Sequence, residues 1–134
     1  MSSNYRIANA LFLLRLSVFV VMFMWTIDKF INPEHAAAVY QNFYFFGGGF
    51  SQAIFIIIGT LELVVLLGFL LGIKKTITYG FVLLFHGVST ISTWGKLIAP
   101  FESLNLLFFA AIPMLAACWA LFALRDLDTK FNIG

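Results

Sequence analysis

With 134 residues, 62% of them hydrophobic, 10% charged and a mean hydropathy of +1.00, the chain has too little polar surface for a dispersed globular domain. A net charge of +2 gives no ground for nucleic-acid binding, and a single cysteine, Cys118, excludes an internal disulfide or a paired-cysteine redox motif. Composition predicts an all-α, integral membrane four-helix bundle forming one domain over 1–134, with the lipid membrane as its solvent.

Four apolar stretches are long enough for a hydrocarbon core of about 30 Å. They lie at about 7–27, 53–71, 77–97 and 104–124. The first has Arg6 near its start, as a signal peptide would. Its apolar run is too long for such a peptide and no small-residue cleavage site follows, so it is expected to stay as the first helix.

After "TIDKFINPEH", Asn32 can cap and Pro33 fits a first helical position. A short interfacial helix is therefore expected between helices 1 and 2. Its Tyr40, Phe43, Tyr44, Phe45 and Phe46 suit the headgroup boundary, as an anchor or as a lid. Gly47–Gly49 then let the backbone turn into helix 2. "GIKKT" is a tight connection, making helices 2 and 3 antiparallel neighbours. Pro100 breaks helix 3, Ser103 can cap helix 4, and Pro113 should kink helix 4 near its middle. "RDLDTKFNIG" reads as a short polar tail. Arg6, Lys74, Lys75, Arg125 and Lys130 fall on one side, Lys29 and Lys96 on the other, which places both termini in the cytoplasm.

Ionisable side chains inside such helices mark function by default. Glu62 lies near the middle of helix 2 and His86 at a similar depth in helix 3, with Arg15 somewhat nearer the cytoplasm. The three are expected to meet in one midplane layer that binds a ligand or relays a proton. At about 100° per residue, Tyr79, His86, Thr90 and Thr93 share a stripe of helix 3. Ser89 and Lys96 flank that stripe, and Lys96 could meet Lys29 at the outer surface. On helix 1, Arg15, Met22, Thr26 and Lys29 share a face.

Plainer readings compete. The hydroxyls can bond back to their own helix, Arg15 can snorkel, Tyr79 can anchor at the interface, and His86 can bond a backbone carbonyl. An Arg15–Glu62 pair could simply fix packing. No metal or tightly bound cofactor is expected: His35 is placed outside and His86 at the midplane, so they cannot clamp a haem together.

"LRLSVFVVMFMWTIDKFINPE" resembles the first helix of the DoxX-like membrane proteins, and "GTLELVVLLGFLLGIKKTITYG" their second. Positions matching the family pattern are Arg15, Lys29 and Glu62; His86 and the run Ser89–Trp94 have no counterpart in it. The resemblance spans about residues 10–125. It implies a multi-pass protein of the bacterial inner membrane, associated with redox enzymes and with a quinone as candidate ligand. Two roles fit: a redox-linked accessory subunit holding a quinone-like or other amphipathic molecule at Arg15, Glu62 and His86, or a non-enzymatic assembly factor for a larger membrane complex. Expected partners are other membrane subunits or a homo-oligomer. A small transporter would need an oligomer to enclose its path.

Overall fold

In the computed structural model, which describes residues 3–31, 34 and 52–133, every regular element is helical. Helix α1 spans Ser3–Ile31, α2 Gln52–Leu71, α3 Lys75–Ser92 and α4, a single turn, Trp94–Leu97. A 3-10 segment, Asn105–Ala110, runs directly into α5, Ala111–Ala123, and a second 3-10 turn follows at Arg125–Leu127. α1 packs on α2 and α5, α2 on α3, and α3 on α5, closing a ring of four helices. The segment expected as an interfacial helix, Gly47–Gly49 included, lies outside the described residues.

The inward stripe of α1 is Leu11, Arg15, Val18, Met22 and Thr26, spaced by three or four residues as one helix face requires. Leu66 and Phe69 of α2, Tyr79 and Val82 of α3, and Cys118 and Leu121 of α5 complete the core. The outside is as apolar as the inside. Leu13, Val64, Leu84, Leu107 and Trp119 each expose between 63% and 70% of their surface.

Two helices are long and apolar enough to cross a membrane, Asn4–Asp28 and Asn105–Ala123, and Ile56–Leu71 is a shorter apolar helix. Only 28% and 11% of the two spans is buried inside the protein, so neither resembles the enclosed core helix of a water-soluble domain.

The third helix, expected over 77–97, stops at Ser92, because the backbone turns at Thr93 before the short α4 resumes. The fourth is continuous but changes its winding. Pro113 lies near the middle of the continuous helical stretch 105–123, as expected, three residues beyond the point where 3-10 winding gives way to α. Ser103 does not cap: it adopts φ of 50°, Leu104 precedes the 3-10 segment, and Asn105 Nδ2 donates to the Ala99 carbonyl at 2.9 Å to close the loop.

The turn between α2 and α3 is tight, as expected. Ile73 N–H donates to the Gly68 carbonyl at 2.8 Å, and Gly72 takes φ of +70°, a left-handed helix end that favours glycine. A Cβ on Gly72 would stand 2.4 Å from the Cβ of Asn132, so the C-terminal tail lies directly against this turn. Ile133 N–H then donates to the Leu71 carbonyl at 2.9 Å. The polar tail is therefore a packed element that caps one end of the bundle.

Candidate functional site

Arg15 points from α1 into the bundle with no exposed surface. Its Nη1 stands 3.0 Å from Oδ1 of Asp128, which is equally buried, and donates to the Tyr79 hydroxyl at 3.2 Å. The Tyr79 hydroxyl donates in turn to Asp128 Oδ2 at 2.5 Å. Nη2 of Arg15 donates to the backbone carbonyls of Lys130 and Phe131. The cluster thus ties α1, α3 and the tail together through one guanidinium.

Neighbouring groups hold the tail in place. Lys75 Nζ, at the start of α3, donates to the carbonyls of Asp128 at 2.6 Å and Arg125 at 3.3 Å. Asn132 Nδ2 donates to the Asp128 carbonyl at 3.0 Å, and Lys130 Nζ donates to Asn9 Oδ1 on α1. Aromatic rings close the cluster: Phe12 stands 5.5 Å from the Arg15 guanidinium, Phe131 packs edge-on against Phe12 at 4.9 Å, and Phe69 packs edge-on against Tyr79 at 4.9 Å. An uncompensated charge at this depth would be strongly disfavoured. Asp128 supplies the compensation, Tyr79 and backbone carbonyls take the other terminal N–H groups, and the buried Nε makes no hydrogen bond.

Glu62 occupies a second buried layer. It is 2% exposed on α2 and accepts a hydrogen bond at 3.1 Å from Thr26 Oγ1, which also donates to the Met22 carbonyl at 2.8 Å. Thr26 lies eleven residues beyond Arg15 on α1, about 16 Å along the helix axis. The expected midplane layer of Arg15, Glu62 and His86 is therefore not what forms. Arg15 is drawn to the end of the bundle by a carboxylate of the tail, and Glu62 meets Thr26 farther along α1.

His86 is half-buried on α3, and its Nε2 lies 3.1 Å from the Ala111 carbonyl oxygen at the start of α5. That contact places the proton on Nε2 and joins α3 to α5. The hydroxyls of its stripe bond within their own helix: Thr90 to the His86 carbonyl at 2.8 Å, Thr93 to Thr90 at 2.9 Å, and Ser92 to Val88 at 2.8 Å. Ser89 is half-buried on α3 and Lys96 half-buried on α4. The Lys29 side chain lies outside the described residues, and with it the expected meeting of Lys29 and Lys96.

Tyr79 does not serve as an interfacial anchor. At 1% exposure it is a buried link between Arg15 and Asp128. Asp128 itself went unread in the sequence because 125–134 looked like a solvated tail. The available signal was electrostatic. A buried arginine near one end of the bundle needs a carboxylate at that end, and the tail supplies Asp126 and Asp128.

Among the described residues no three His, Cys, Asp or Glu side chains gather as a metal site would require. Neither the known family models, nor the curated proteins, nor the solved structures contain a match to this chain.

Proposed function

We propose that this chain is a four-spanning membrane protein of the DoxX-like kind, a non-catalytic accessory or assembly subunit within a larger membrane complex. The observation that carries this reading is the internal use of Arg15. Its charge and both terminal nitrogens are taken up by Asp128, Tyr79 and tail carbonyls, so its main use is a structural clasp, with only the buried Nε left without a hydrogen bond. The exposed apolar side chains and the two helices of spanning length support a membrane solvent, and the clustering of Lys74, Lys75, Arg125 and Lys130 with the tail supports a cytoplasmic placement of that end. The resemblance of the first two helices supplies the redox association and the bacterial inner membrane.

One observation favours a second reading, in which the chain holds a quinone-like or other amphipathic molecule. Glu62 is a buried carboxylate within an apolar helix, bonded by Thr26 at a level of the bundle away from the Arg15 clasp. In this reading Glu62 and Thr26 meet an oxygen of the ligand, with electrons supplied by a partner protein.

Mass spectrometry of the protein purified in mild detergent from its own membranes separates the two. A stoichiometric protein partner retained equally by wild type and Glu62→Gln supports the subunit reading. An extracted amphiphile present in wild type and lost in Glu62→Gln supports the second.

A further inference from the structure

At the tail end of the bundle, a groove of about 550 Å³ opens between the α2–α3 turn and the turn after α5. Lys74, Lys75, Thr76, Arg125 and Asp126 line it, three cations against one carboxylate. The cations are not equivalent. Lys75 is spent on the Arg125 and Asp128 carbonyls, though its charge stays in the groove. Arg125 is fixed in plane: Nε donates to Thr76 Oγ1 at 3.2 Å, Nη1 to the Phe122 carbonyl at 2.8 Å, and its guanidinium lies 4.4 Å from the centre of the Phe122 ring. That leaves Nη2 for an outside acceptor. Lys74 is exposed on a left-handed backbone, φ of 50°, and makes no ion pair among the described residues.

We propose that this groove binds the phosphate of an anionic lipid headgroup, with Lys74 and Arg125 as its donors and Lys75 as a fixed background charge. A planar guanidinium held in place beside a mobile ammonium suits phosphate oxygens. Exposed apolar side chains close by in the chain argue for a lipid over a free phosphate. Ile77, Leu124 and Leu127 lie within two residues of Lys75 or Arg125 and expose 67%, 40% and 41% of their surface, which acyl chains would cover and an inorganic ion would not. Basic pockets on the cytoplasmic side of membrane proteins recognise headgroups in this way.

The proposal rests on the membrane reading above, so that reading is tested separately by washing membranes with alkaline carbonate. Release of the protein by the wash refutes the membrane placement, whatever the groove binds. The groove itself is tested with the full chain in nanodiscs of equal phosphatidylglycerol and phosphatidylcholine, counting retained lipids by native mass spectrometry. Wild type is expected to favour phosphatidylglycerol, and Lys74→Gln to weaken that preference by about fivefold, the effect of one basic residue near a membrane surface. Lys74→Gln with Arg125→Gln should abolish it, and Arg6→Gln, a cation at the same end but outside the groove, should leave it intact. Because Lys74 is exposed, its replacement tests the groove even if the double variant folds poorly. An unchanged preference in Lys74→Gln, or an equal loss in Arg6→Gln, overturns the proposal. Displacement of the lipid by tens of millimolar inorganic phosphate overturns the lipid assignment and leaves a free-phosphate site.

Discussion

Replacing Asp128 by asparagine keeps the shape of the side chain and removes one charge. Arg15 and Asp128 are both fully buried and 3.0 Å apart, so the substitution strands a guanidinium in the core. Breaking a buried pair from one side costs about 3–5 kcal/mol, because the surviving charge keeps its desolvation penalty. The Lys130 and Phe131 carbonyls still accept from Nη2, and the new amide oxygen can still accept, which points to the lower end. A loss of about 3 kcal/mol corresponds to roughly a hundredfold in the unfolding equilibrium. Reversible unfolding of the purified protein in mixed micelles, followed by far-UV circular dichroism, measures it. Arg15→Met combined with Asp128→Leu should recover much of the loss, since an apolar replacement of both partners removes the penalty with the attraction. A cost below about 1 kcal/mol for Asp128→Asn would put the pair among solvated surface bridges and refute the docked tail.

Tyr79→Phe removes the hydroxyl that bridges Arg15 and Asp128 and should cost about 1.5–3 kcal/mol, the range for a hydrogen bond to a charged group, measured by the same unfolding curves. Gly72→Ala meets both a left-handed backbone and the Asn132 Cβ, so it should cost about 1–3 kcal/mol. Adding Asn132→Gly should relieve the contact but leave the backbone strain, and hydrogen exchange at Ile133 N–H should quicken in Gly72→Ala alone.

Helical class and the inward face of α1 were legible because they follow from local rules. Arg15, Met22 and Thr26 fall on one side of a helix whatever surrounds them, and the structure buries all three. The tight turn at Gly72 was equally local. The pairing of charges was not. Depth counted along each helix put Arg15 and Glu62 within reach, but it assumed that the nearest acid in the apolar spans was the partner. A tail that folds back supplied a nearer one, and residues in polar sequence carry no periodicity from which docking can be read. Where the third apolar segment breaks and the fourth changes its winding was similarly hidden, because a backbone turn at Thr93 and a 3-10 stretch at Asn105–Ala110 leave the apolar run uninterrupted.

The clasp joins segments far apart in the chain: Arg15 bonds a carbonyl 115 residues later. A ribosome adding about 5–20 residues per second makes Arg15 roughly six to twenty-three seconds before the segment that receives it. Throughout that interval α1 carries a cation whose partner has not yet been made. Closure of the bundle thus waits for residues 128–131 to be made, and a chain stalled or cut short before Asp128 would present its first helix as unfinished to the cell's quality control.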